Sequence, residues 1–144
     1  MFIRKMCPED VAAAVAIIGA NYLEEDLINV TKELEAMFSA TVSPPIYFVA
    51  KEDSVIVGVS GYTQSWMNFD LYEIFWVNVM PTYQRKGIGK KLVAHVIKRI
   101  TELPNACGVL LTAKIPEYYK QFGFAMLDQF GEEGDQYLMK LKLK

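Results

Sequence analysis

The 144-residue sequence holds two cysteines, one histidine and two tryptophans, and its apolar residues never gather into a run of membrane-spanning length. Cys7 and Cys107 lie far apart with no CxxC spacing. A disulfide framework is therefore not expected, and the pair fits a reducing compartment in which both thiols stay free and buried. With His95 as the only histidine, the ligands of a zinc site are missing, and no metal is expected. A surplus of basic charge is missing too. Lys and Arg total 15 against 17 Asp and Glu, a net charge of −2, which argues against nucleic acid as a partner. The N-terminal MFIRKMCPED has two basic residues but neither an apolar h-region nor a cleavage site, so the expectation is a cytoplasmic protein with no membrane attachment.

What is present is a core. The chain is 52% hydrophobic and 12% aromatic at the length of one domain, so residues 1–144 are read as a single unit. Phe2–Met6 suits a short strand, and Pro8, Glu9 and Asp10 suit a helix start ahead of the Ala-rich run Val11–Ala20. A second helix is expected over Glu24–Phe38, where Leu27, Val30, Leu34, Met37 and Phe38 recur at helical spacing. Ile46–Lys51 and Val55–Gln64 read as a hairpin turning at Glu52–Ser54, and Phe69–Met80 as a long strand stopped by Pro81. Gly87–Ile100 predicts an amphipathic helix, Cys107–Ala113 a core strand, and Pro116–Gln121 a short helix. Phe124–Leu127 and Tyr137–Leu143 complete a final hairpin around Gly131–Asp135. That order specifies an α/β fold with a mixed sheet and helices on its faces.

The stretch VNVMPTYQRKGIGKKL carries the chemistry. A strand ends at Pro81, and a glycine-containing turn, Gln84–Gly89, opens directly into a helix. Unpaired backbone N–H groups and the positive helix end then face one point, which favours a phosphate or pyrophosphate. Gly87 and Gly89 permit close approach, and Arg85, Lys86 and Lys90 add charge. Two other phosphate loops fail on residues. GxGxxG needs a glycine where Leu92 stands, and GxxxxGK[ST] needs a glycine at Gln84 and a hydroxyl at Lys91.

These residues resemble the GNAT superfamily of acetyl-CoA-dependent N-acetyltransferases, whose loop reads [QR]-x-x-G-x-[GA] after a strand ending V-x-P. Gln84, Gly87, Gly89, Val79 and Pro81 match it, and EYYKQFGF at Glu117–Phe124 resembles the family's tyrosine helix, with Tyr119 at the tyrosine position. The element order agrees over nearly the whole chain. The resemblance implies the GNAT-like acyl-CoA N-acyltransferase fold, with acetyl-CoA as cosubstrate and no metal. It implies cofactor contacts from Val77, Val79, Gln84, Arg85, Lys86, Gly87, Ile88, Gly89 and Lys90, with a backbone N–H near Val79 donating to the acetyl carbonyl. It also implies direct transfer to an amine, whether of a small molecule, a peptide N-terminus or a protein lysine.

Glu73 is either the general base, among Leu71, Tyr72, Ile74, Phe75 and Trp76, or a charge on the solvent side of its strand. Tyr119 is either the acid that protonates the departing thiolate or ordinary packing beside Tyr118. Lys86 and Arg85 are either phosphate contacts or solvated charges. His95 is expected on a helix surface with no role, and Cys107 in core packing. Tyr62, Trp66, Phe69, Tyr72 and Trp76 are either an acceptor pocket or core, and the acidic balance hints at a basic acceptor. The competing function is an acyl-CoA-binding sensor or scaffold module without transfer, which needs the loop but neither Glu73 nor Tyr119. Exposed strand edges would allow a homodimer.

Overall fold

A computed structural model describes residues 1–144 as a seven-stranded sheet in the order β1-β2-β3-β4-β5-β7-β6. The strands are β1 (Phe2–Lys5), β2 (Ile46–Glu52), β3 (Val55–Ser65), β4 (Asn68–Val79), β5 (Gly108–Ala113), β6 (Ala125–Phe130) and β7 (Gln136–Lys142). The helices are α1 (Val11–Asn21), α2 (Leu27–Glu35), α3 (Ile88–Thr101) and α4 (Pro116–Lys120). Every neighbouring pair is antiparallel except β4 and β5, which run parallel because α3 carries the chain between them.

Alternation along the strands sends side chains to two separate cores. On one face Val11, Ala14 and Ile18 of α1 and Val30 and Leu34 of α2 pack on Tyr47, Val49 and Val59. On the other, Val96 and Ile100 of α3 pack with Tyr72, Ile74, Val109, Leu111, Phe124 and Met139, while Ile88 and Leu92 cover Ala50 and Val57. Helices thus cover both faces, as a mixed sheet with two apolar sides requires.

α2 begins three residues later than its apolar periodicity suggests. Asp26 is its N-cap, accepting from the N–H groups of Ile28 (3.0 Å) and Asn29 (3.4 Å). That cap leaves Glu24 and Glu25 in the α1–α2 connection. The helix also tightens into a 3₁₀ turn at Ala36–Phe38. The expectation that both cysteines are buried is corrected: Cys7 is exposed and Cys107 half-buried, and both are free. Each sits just outside an element. Cys7 precedes a 3₁₀ turn at Pro8–Asp10, and Cys107 precedes β5 with its N–H bonded to Asp70 O (2.8 Å). His95 is half-buried, its ring edge-on to Phe48 at 4.8 Å, and burial with the nearby charges of Arg99 and Lys98 holds its pKa down. No helix is long and apolar enough to cross a membrane.

Candidate active site

The site begins where β4 and β5 part. Their pairing covers only Leu71–Gly108, Tyr72–Val109 and Glu73–Leu110. Beyond Glu73 the two strands diverge, while β4 stays paired to β3 at Ile74–Tyr62, Phe75–Gly61, Asn78–Val59 and Val79–Gly58. Between Phe75 and Asn78, three steps along β4 oppose two along β3, so β4 carries a bulge. Trp76 sits in it at φ 52°, a left-handed conformation that costs a bulky residue roughly 1–3 kcal/mol. Its indole Nε1 donates to Glu33 (2.9 Å), and its ring meets Tyr22 edge-on at 6.0 Å.

The bulge sets which backbone groups face the opening. Met80 N–H bonds Val57 O at 2.8 Å, so the Val79–Gly58 pair is of the non-hydrogen-bonded kind and the polar groups of Val79 point away from β3. Val77, two residues earlier, has no cross-strand partner on either side. Splaying therefore starts at Ile74, well before Pro81.

Two clefts of about 730 Å³ each meet in this opening. The first is lined by Ile74–Asn78 of β4, Leu111–Ala113 of β5, and Tyr22, Glu24 and Glu25 from the α1–α2 connection. The second continues past Val79 to the loop before α3. Val77, Asn78, Tyr22, Tyr118 and Tyr119 line both.

The loop is built by alternating backbone hand. Gln84 is extended, Arg85 is at φ 64° and Gly87 at φ 81°, a pattern that gathers successive N–H groups into a concavity. Gly87 is the N-cap of α3 and has no side-chain cap, so the first-turn N–H groups of α3 are free to meet an anion. A β-carbon on Gly87 would meet open space, so it is the positive φ that demands glycine there. At Gly89 the reason differs: a β-carbon would lie 3.2 Å from Tyr118 Oη. Arg85 and Lys90 line this cleft and no acidic side chain does, whereas the first cleft holds Glu24 and Glu25 with Lys114.

Of the residues assigned to the cofactor from sequence, Val77, Val79, Gln84, Arg85, Gly87, Ile88, Gly89 and Lys90 come together along the second cleft. Lys86 turns away, its Nζ 5.1 Å from the Tyr83 ring centroid. The Gln84 side chain is committed internally, donating to Asn21 Oδ1 (2.9 Å) and Val79 O (3.0 Å). Tyr119 lies where the clefts join, packed on Tyr118, Phe122 and Phe124. Burial, with smaller contributions from Tyr118 and Tyr22, pushes its phenol up to about 12. Glu73 is half-buried at the last position of β4 paired to β5 and lines neither cleft.

Among the five aromatics considered for an acceptor pocket, only Trp76 lines the opening. Tyr72 is core, Tyr62 packs against it, and Trp66 and Phe69 form an exposed pair at the β3–β4 turn. Sequence reasoning missed Asn21, Tyr22, Glu24, Glu25 and Asn78. The one available signal was Asp26, whose capping role frees the two glutamates.

No group of three or more His, Cys, Asp or Glu side chains is arranged to hold a metal ion. The model of the Acetyltransferase (GNAT) family matches residues 15–124, and the chain belongs to that family. No curated protein matches the chain. Among solved structures, an aminoglycoside 6'-N-acetyltransferase complexed with coenzyme A is similar at TM-score 0.83 and 15% identity, over 100% of this chain and 98% of that one. A GNAT-family acetyltransferase from Staphylococcus aureus Mu50 is similar at TM-score 0.78 and 18% identity, over 99% of each chain. The PaiA N-acetyltransferase from Thermoplasma acidophilum, in complex with coenzyme A, is similar at TM-score 0.74 and 16% identity, over 98% of each. These likenesses establish the fold.

Proposed function

We propose that the protein transfers an acetyl group from acetyl-CoA to a primary amine by direct attack within a ternary complex. The observation that carries this reading is the junction of two oppositely charged clefts at the β4–β5 opening, with Tyr119 at the junction. The cationic cleft leads to an anion-binding loop and suits the pyrophosphate arm of the cosubstrate. The other cleft admits the amine. Structures of similar fold described as complexed with coenzyme A lend support.

In this scheme the amine nitrogen attacks the thioester carbon, and a C–N bond forms as the carbonyl electrons move to oxygen. Collapse breaks the C–S bond, the sulfur takes the phenolic proton of Tyr119, and the amine proton leaves to a base. A phenol held up to about 12 is fully protonated at neutral pH, which suits a proton donor. Val77 and Val79 would hold the pantetheine arm and acetyl carbonyl through backbone groups, and Gly87, Ile88, Gly89 and Lys90, with Arg85, the pyrophosphate. Glu73 would act as base through a water from the closed end of the opening. Glu24 and Glu25 line the acceptor cleft and are the carboxylates that compete for that role.

The test is thermal stability with and without acetyl-CoA, followed by free-thiol release over a panel of amines. Ligand at 100 times its dissociation constant should add about 2.7 kcal/mol. No stabilisation overturns the reading. Stabilisation without thiol release for any amine favours a CoA-binding module.

A further inference from the structure

Two buried side-chain polar atoms lack a hydrogen-bond partner, Ser60 Oγ and Asn78 Nδ2. Ser60 lines neither cleft, whereas Asn78, only 4% exposed, lines both. An orphaned amide donor at that depth is costly to leave unpaired. Its orientation follows from its neighbours. Val79 O is an acceptor only, and both Asn21 Nδ2 (2.9 Å) and Gln84 Nε2 (3.0 Å) donate to it. Asn21 must therefore present nitrogen on that side. The same Nδ2 reaches Asn78 at 3.0 Å, so the atom of Asn78 that meets it must be Oδ1. Gln84 Nε2 closes the arrangement by donating to Asn21 Oδ1 at 2.9 Å. Every hydrogen of Asn21 Nδ2 and Gln84 Nε2 is spent inside this network. The unused donor capacity lies on Asn78 Nδ2, buried in a residue that lines both clefts.

We propose that Asn78 Nδ2 is a catalytic donor to the carbonyl oxygen of the bound acyl thioester, an inference that rests on the acetyltransferase reading above. Negative charge grows on that oxygen as the amine attacks. A donor already fixed in orientation through the amides of Asn21 and Gln84 stabilises it without reorganisation at the moment of reaction. The network also ties the donor to the loop: Gln84, at the loop's first position, and Asn78, at the reacting end, are joined through Asn21.

Asn78→Ala and Asn78→Asp test the assignment. Asp keeps the oxygen that accepts from Asn21 and removes the donor, so it isolates donation from support of the network. The measurements are kcat for acetyl transfer, the dissociation constant for free CoA, which has no acyl carbonyl, and the melting temperature of each unliganded variant. The expected result is a fall in kcat of about 100-fold in both variants. CoA affinity should stay within about twofold of the parent protein. If Asn78 only supports the loop, Asn78→Asp retains kcat and Asn78→Ala loses kcat and CoA affinity together, and the inference is overturned. A parent protein that binds neither CoA nor acetyl-CoA overturns the acetyltransferase reading itself, a result distinct from variants that bind CoA and keep full kcat.

Discussion

The two halves of β4 are built on opposite terms. At Tyr72 and Glu73 the strand is paired on both sides, and Tyr72 is sealed in the core at 6% exposure. From Ile74 to Val79 it is paired on one side only, bulged, and strained at Trp76. The closed half spends its backbone groups within the sheet. The open half leaves Val77 without a cross-strand partner, and side-chain amides from Asn21 and Gln84 take up Val79 O. Binding capacity is thus created by withholding one strand partner, while the neighbouring residues that keep theirs supply the rigidity.

That contrast can be broken most strongly in the closed half. Tyr72→Ala removes a buried ring that meets Tyr62 at 5.9 Å, and should lower stability by about 3–5 kcal/mol. Denaturant unfolding reads this directly, and the folded fraction should bind CoA as before. In the open half the order of effects reverses. Tyr119→Phe keeps the ring packing and should leave unfolding near neutral pH little changed, while kcat falls by about 100-fold or more. Unchanged turnover would return Tyr119 to plain packing.

Tyr119 also predicts a pH effect. Its phenol titrates near 10 in an unfolded chain and is pushed up to about 12 in the fold, mainly by burial. The neutral form is the favoured one, so its contribution is complete below pH 10 and is lost as pH rises from 10 through 12. Tyr119→Phe should therefore lose less stability than the parent protein over that interval, as thermal unfolding across pH would report. A smaller effect is expected at the loop. Gly87→Val puts a β-branched residue at φ 81°, at a cost of about 1–3 kcal/mol, and should weaken CoA binding by roughly tenfold with little change in the sheet. Isothermal titration decides that case.

Much of the closed half was legible in the sequence because strand alternation and helical periodicity report burial directly. The element order from β1 through the final hairpin followed from those patterns and from Pro81 and the glycines. The loop was legible for another reason: Gln84, Gly87 and Gly89 are near neighbours in sequence, and their conformational demands are local. The first cleft was not. Tyr22 and Trp76 meet across more than fifty residues, and Trp76 reaches the opening only because of a bulge that no local pattern announces. Asn78 was hidden for the same reason. One asparagine in a strand looks unremarkable until Asn21, 57 positions away in sequence, takes its oxygen and leaves its nitrogen free.

Amide hydrogen exchange along β4 and the start of α3, with and without CoA, tests the central contrast most directly. The account predicts that CoA slows exchange at Val77, Val79 and the first-turn N–H groups of Ile88, Gly89 and Lys90, and leaves Leu71, Tyr72 and Glu73 as they were. Slowing spread evenly over both halves, or confined to residues outside the opening, would contradict it.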